Sequence, residues 1–287
     1  MTIETKELTA LVTGASRGSA TSISFDDQPI AAILGASVSS DRFTIGPALW
    51  GFGGVHGGLA LALLTAAMRD RARGRILRHV SAQFKRPLRD ELEIDVSEDG
   101  SGKTASWLSA RAMAKGSAAV TASAVFAAAG SADAAPVSPP MPSVPPPADC
   151  PVFTIPPEFV PFARRTEVRP VGTARPFIGA AEPELTAWLR LVDDDLPLDE
   201  IRLMVLMDSL PPSYAAVLHA PVPIPTVMYS VTPGAGLATA ASPWILLRAR
   251  TGVASRDGWL DERLDAWGPD GQHLAAGEQL RIIATRR

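Results

Sequence analysis

Residues 203–214, Leu-Met-Val-Leu-Met-Asp-Ser-Leu-Pro-Pro-Ser-Tyr, set one carboxylate, Asp208, inside an otherwise apolar helical run. Taking an ion out of water is costly unless it is paired. The position is also awkward, because it lies in the last turn before Pro211, where the carbonyl end of a helix repels negative charge. An acid placed there either faces solvent at a frayed helix end or has work to do. A second cluster is the run from Gly51 to Gly58, which reads Gly-Phe-Gly-Gly-Val-His-Gly-Gly and opens an apolar helix. Its glycines let a helix enter a crowded core. The free amides of the first turn, at Gly57 and Gly58, also make an anion or oxyanion site, and the two roles are compatible. His56 is either a positioning and packing residue or a base. Thr226 sits on a candidate strand, read as facing the same side as Met228 and Ser230. Gln279 shares the side of Ala275 and Gly277, whose small size leaves room for a helix or a ligand; the alternative is a solvent-facing glutamine.

These positions need elements to carry them. Between Gly130 and Pro157 lie ten of the chain's 26 prolines, which exclude helix and favour extended backbone. The stretch 131–159 therefore reads as a linker, preceded by a segment 1–24 expected to be mobile. The two flanking units, 25–130 and 160–287, have the same order of elements. The first has β-type segments at Ala31 to Val38 and Arg42 to Leu49, then a helix from about Gly57 to Arg73. Four alternating segments follow, at His79 to Arg86, Leu92 to Ser97, Thr104 to Met113 and Ala118 to Ala127. The second has Leu185 to Val192, a helix from about Pro197 to Leu210, and strands near Pro225 to Val231, Trp244 to Ala249, Trp259 to Trp267 and His273 to Ile283. Short strands at such spacing indicate an antiparallel sheet. The first helix is apolar nearly all round and so belongs inside its unit. The expected fold is α+β, a double hotdog of two antiparallel sheets, each wrapped on a central helix.

Apolar residues make up 46% and charged residues 20% of the 287 residues, and the net charge is −3. That balance is globular and offers no general surface for nucleic acid or an anionic membrane. Leu59 to Met68, the longest apolar stretch, is too short to span a bilayer. The polar N-terminus lacks an apolar signal region, so a soluble, cytoplasmic protein is expected. One cysteine, Cys150, allows no intrachain disulfide, and His79, His219 and His273 show no metal-ligand spacing; no metal and no cofactor are expected. Residues 11–18, Leu-Val-Thr-Gly-Ala-Ser-Arg-Gly, mimic both a dinucleotide loop and a nucleophile elbow. Ser19-Ala20 stands where the last glycine should be, no amphipathic helix follows, and no sheet precedes Ser16.

Taken together, the residues resemble the acyl-CoA thioesterase II family, double-hotdog enzymes that hydrolyse acyl-CoA. Phe52-Gly53-Gly54, then Gly58 and Ala60-Leu61, is similar to that family's entry to the first helix. The segment from His79 to Arg86-Pro87 is similar to its next strand, and Asp257-Gly258 to Gln279 to its two closing strands. The resemblance implies that Asp208, Thr226 and Gln279 are the catalytic aspartate, threonine and glutamine. On this reading Asp208 takes a proton from water, Thr226 and Gln279 hold that water, and Gly57 and Gly58 receive the oxyanion. Lys85 and Arg86 are candidates for the coenzyme A phosphates, with His56 beside the substrate. Acyl-CoA is the expected partner, and a homodimer of double hotdogs the expected assembly. Val-Met-Tyr-Ser-Val after Thr226 lacks the aspartate, histidine and tryptophan of well-known members, which bears on substrate preference rather than chemistry. His56-Gly57-Gly58 is also similar to a branch of single-hotdog thioesterases that carries an acid where this chain has Thr65. That implies one active site per chain. Two other readings are a non-catalytic acyl-binding hotdog protein and a hotdog hydratase, whose Asp-x-Asn-Pro-x-x-His type loop is absent.

Overall fold

A computed structural model describes residues 23–25, 28–35, 42–130, 135 and 137–284. The decoy run at 11–18 and residues 1–22 of the segment 1–24 expected to be mobile lie outside the described residues, while its last two, Ile23 and Ser24, pair with Phe43 and Thr44. Among the described residues twelve strands form one sheet: β1 (Ile23–Ser24), β2 (Arg42–Ile45), β3 (Ile76–Phe84), β4 (Asp90–Ser101), β5 (Ala105–Ala114), β6 (Ser117–Ala127), β7 (Thr166–Pro170), β8 (Glu184–Leu191), β9 (Thr226–Pro233), β10 (Ile245–Ala254), β11 (Trp259–Trp267) and β12 (His273–Ile282). Their order across the sheet is β1-β2-β4-β5-β6-β3-β9-β12-β11-β10-β8-β7. Every pairing is antiparallel except that of the two-residue β1 with β2.

The expectation of two separate sheets is therefore corrected. β3 and β9 would each be an open edge, and they pair with one another from Val80↔Val231 to Gln83↔Met228. The pairing satisfies backbone donors and acceptors that an edge would leave bare.

Among the described residues there are three α-helices, α1 (Ile30–Gly35), α2 (Gly57–Arg71) and α3 (Glu200–Met207); α2 and α3 pack on the sheet, and α1 packs against α2. Residues 31–35 of the segment read as β-type from Ala31 to Val38 are helical instead, and residues 36–38 lie outside the described residues. Pro29 accepts from Ala32 and Ile33, and the buried Ile30, Ile33 and Leu34 recur at helical spacing. The strand from Arg42 stops at Ile45 because Pro47, with a fixed φ and no N–H, opens a short 3-10 turn.

In α2 every residue from Gly58 to Met68 is buried, as an all-round apolar pattern requires. It packs on β3 to β6 and against α3. Arg73 and Gly74 both take left-handed φ, 55° and 78°, which ends the helix two residues before the predicted Arg73. Asp199 caps α3 by accepting from Arg202 N, and Pro211-Pro212 lies just beyond the helix end.

The described part of the proline-rich stretch is fastened to the second half of the sheet. Trp267 Nε1 donates to Pro139 O at 3.0 Å and Trp188 Nε1 to Pro145 O at 2.8 Å. Trp188 and Leu246 alternate with the core residues Ala187, Leu189, Ile245 and Leu247, so this strap crosses the face away from the helices.

Candidate active site

Asp208 caps the C-terminal end of α3, and its side chain is 10% exposed, so it does not face bulk solvent. The carboxylate points at the opposite pole of α2. Its Oδ2 accepts from Gly58 N at 2.7 Å, a charge-assisted bond at the positive end of a helix. The repulsion from its own helix is thereby offset by attraction to the next. Oδ1 accepts from Gln279 Nε2 at 2.6 Å.

This approach depends on two missing side chains. A Cβ on Gly58 would lie 2.6 Å from Met204 O and 2.9 Å from Asp208 Cβ, and one on Gly57 would lie 2.8 Å from Asp208 Oδ2. The expectation of two free oxyanion amides is corrected in part. The Gly58 amide is taken by Asp208, while Gly57 lines the cavity beside it.

His56 precedes α2 and has both ring nitrogens engaged. Nδ1 accepts from Leu59 N at 3.3 Å, which makes Nε2 the protonated nitrogen, and Nε2 donates to the Asp208 backbone O at 3.1 Å. The ring stacks on Phe162 at 4.0 Å. Burial holds its pKa below the usual 6.5 and outweighs the nearby Asp208 carboxylate, 3.7 Å away. No lone pair is left for base chemistry, so of the two roles His56 takes positioning.

Strand register brings the remaining groups in. Gln279 pairs with Tyr229 on β9 and with Glu262 on β11, and Arg281 pairs with Thr226. Between Leu280 and Arg281 the β12–β9 register slips by one residue. That slip turns Thr226 to the side of Arg281, correcting the reading that placed it with Met228 and Ser230. Gln279 is 1% exposed, which excludes the solvent-facing alternative, and it holds Asp208. The helix that Gly277 was read to admit is α3, since a Cβ there would lie 3.0 Å from Met207 Cε.

Sequence reasoning missed Arg281 and Glu262. Arg281 Nε donates to Glu262 Oε2 at 2.5 Å, Nη1 donates to Thr226 Oγ1 at 2.8 Å, and Nη2 donates to Gln279 Oε1. The signal was available: in Leu260-x-Glu262-x-Leu264 a carboxylate occupies an inward position of an alternating strand.

A cavity of about 420 Å³, within the usual range for ligand pockets, opens over these groups. Asp208, Thr226, His56, Gly57, Lys85 and Arg86 line it. Lys85 and Arg86 are exposed, while apolar side chains such as Phe84, Val120 and Leu210 supply much of the wall. Gln279 and Gly58 stand behind Asp208. Thr65 is buried, with its hydroxyl donating to Leu61 O at 2.8 Å, and lies outside this cavity lining. A carboxylate fixed by donors on both oxygens and facing an apolar cavity can take a proton from a bound water.

A family model for the acyl-CoA thioesterase C-terminal domain matches residues 142–283, and one for the N-terminal domain matches residues 47–127. No curated protein matches the sequence. Among solved structures, a conserved protein of unknown function with a hot dog fold from Alicyclobacillus acidocaldarius is 26% identical. The match covers 93% of this chain and 97% of that one, with a TM-score of 0.78. An acyl-CoA thioesterase II from Mycobacterium marinum is 19% identical over 90% of this chain and 98% of its own, with a TM-score of 0.69. The tesB protein of Mycobacterium avium subs paratuberculosis is also 19% identical, over 89% and 98%, with a TM-score of 0.68. At these lower identities the likeness is one of fold.

Proposed function

The chain belongs to the acyl-CoA thioesterase family, and on that premise we propose that it hydrolyses acyl-CoA with Asp208 as the general base. The observation that carries this reading is the clamp on Asp208, with Gly58 N on one oxygen and Gln279 Nε2 on the other, beside an apolar cavity. Such a clamp fixes the carboxylate without filling all its lone pairs, since two oxygens offer about four acceptor sites.

In the proposed reaction Asp208 accepts a proton from water as the water oxygen bonds to the thioester carbonyl carbon. The carbonyl electron pair moves onto oxygen, where the Gly57 amide receives the charge. Collapse of that intermediate breaks the carbon–sulfur bond. The thiolate leaves with the proton held on Asp208, giving a free acid and coenzyme A. Thr226 steadies the water through its hydroxyl, and Gln279 steadies the carboxylate. The apolar wall takes the acyl chain, and the exposed Lys85 and Arg86 meet the phosphates of the coenzyme. With Thr65 in place of an acid on α2, each chain has one such site.

The test is thiol release from a panel of acyl-CoAs of increasing chain length. Wild type is expected to turn over at least one, and Asp208→Asn to lower kcat by about 10² to 10⁴-fold, the usual contribution of a positioned base. An Asp208→Asn rate close to wild type would remove the assignment. A wild type that binds acyl-CoA without releasing thiol would instead identify a non-catalytic acyl-binding protein.

A further inference from the structure

We infer that Arg281, anchored by Glu262, is a positioning residue for the hydrolysis, fixing how Gln279 and Thr226 face Asp208 and the cavity. The inference rests on the reading of Asp208 as the base.

A guanidinium carries five N–H donors and no acceptor. The atom of Gln279 that faces Arg281 must therefore be its carbonyl oxygen, and Nη2 donates to Oε1. The amide nitrogen is then turned the other way, onto Asp208 Oδ1 at 2.6 Å. An ionised carboxylate only accepts, so Asp208 by itself already favours the amide nitrogen over a carbonyl aimed at it. Arg281 enforces the same orientation from the other end and fixes where the amide sits.

The same logic acts on Thr226. Its Oγ1 accepts from Arg281 Nη1 at 2.8 Å, so the hydroxyl hydrogen is directed elsewhere, and Thr226 lines the cavity. The threonine thus offers a donor to whatever occupies that space.

A guanidinium only 7% exposed needs a counter-charge. Glu262, 1% exposed, supplies it through Oε2, while its Oε1 accepts from Ser213 N in the loop after α3. One side chain therefore ties β9, β11 and β12 together within 4.0 Å of Asp208 Oδ1. The β12–β9 slip at Leu280 and Arg281 is what puts Thr226 in reach.

The experiment compares Arg281→Lys with wild type in the full chain, alone and in a Gln279→Ala background. An ammonium keeps the charge for Glu262 but lacks the fork that spans Thr226 and Gln279 together. The expected kcat on the best acyl-CoA falls on the order of 10²-fold, the cost of misplacing a reacting group by about 1 Å. The Kd for a thioether analogue of the same acyl-CoA should stay within about threefold, because the lost interaction acts on the reacting groups. In the Gln279→Ala background only the part carried by Thr226 is left to lose, so the further loss in kcat should be at most about tenfold, since residues acting as one unit are non-additive.

An Arg281→Lys enzyme with wild-type kcat beside an inactive Asp208→Asn overturns this inference and leaves the proposed function standing. The same holds if the two losses multiply in full, or if stability and analogue binding fall while kcat does not. Wild type that releases no thiol from any acyl-CoA overturns both. Should Arg281→Lys not fold, Glu262→Gln keeps the shape while loosening the anchor, and the same split between kcat and Kd is expected. Glu262→Gln with unchanged kcat would sink the inference in that case.

Discussion

The polar groups around Asp208 are held by hydrogen bonds to one another and to nearby backbone. His56 shows this most clearly: one nitrogen caps α2, the other holds the Asp208 carbonyl, and burial keeps the ring neutral by lowering its pKa from 6.5. Asp208 draws it the other way and Arg281 adds to the lowering, but desolvation is the largest influence. A histidine whose folded pKa is below its unfolded value binds fewer protons folded than unfolded. Its contribution to stability is present above 6.5 and is lost as pH falls below that value toward the lowered native one. Urea unfolding midpoints should therefore drop between pH 7.5 and 5.5, and His56→Asn, which can still cap the helix, should flatten that part of the dependence. Identical slopes for the two proteins would show that His56 is not the group responsible.

At the level of elements, the site exists because two helices meet pole to pole. The C-terminal end of α3 puts a carboxylate where the first amides of α2 emerge, and Gly58 is the contact that allows it. Adding a methyl there places it 2.6 Å from Met204 O and 3.0 Å from Val205 Cα, both backbone atoms that cannot rotate away. Gly58→Ala should cost about 1–3 kcal/mol of stability, as overpacking usually does, and should lower activity by moving Asp208. Gly35→Ala is the control, because a methyl there meets nothing within 4 Å. Chemical denaturation of the two variants side by side checks this. Equal stabilities would mean the helices slide apart without penalty and the crossing is not tight.

For the whole molecule, the β3–β9 junction, the α2–α3 contact and the Asp208–Gly58 bond all join the first half of the chain to the second. The strap fixed by Trp188 and Trp267 covers the other face. Parts coupled this way should unfold together. Trp50 and Trp107 report from the first half and Trp188, Trp244, Trp259 and Trp267 from the second. Fluorescence and far-ultraviolet circular dichroism are expected to give one coincident transition in denaturant. Two separated transitions would show that the halves are stable alone and that the junction adds little.

The sequence by itself determined the elements whose signals are local. The all-apolar pattern of α2, the carboxylate before Pro211 and the alternation in β11 and β12 each follow from side-chain period and turn chemistry, and the structure carries an element at each. It also carried enough of a motif for Asp208, Thr226 and Gln279 to be picked out together. Where a local signal was weak, the reading failed: Ile30 to Leu34 is apolar at a spacing that serves a short helix as well as a strand, and packing chose the helix. Only the tertiary structure decided that two sheets become one, because unsatisfied edges find partners across a separation of about 150 residues that no local pattern reveals. It alone decided that Thr226 faces inward, since a one-residue register slip reverses a strand's faces without changing its composition. It alone brought Arg281 and Glu262 to the site, because a buried ion pair is defined by its partner, and that partner sits on a neighbouring strand.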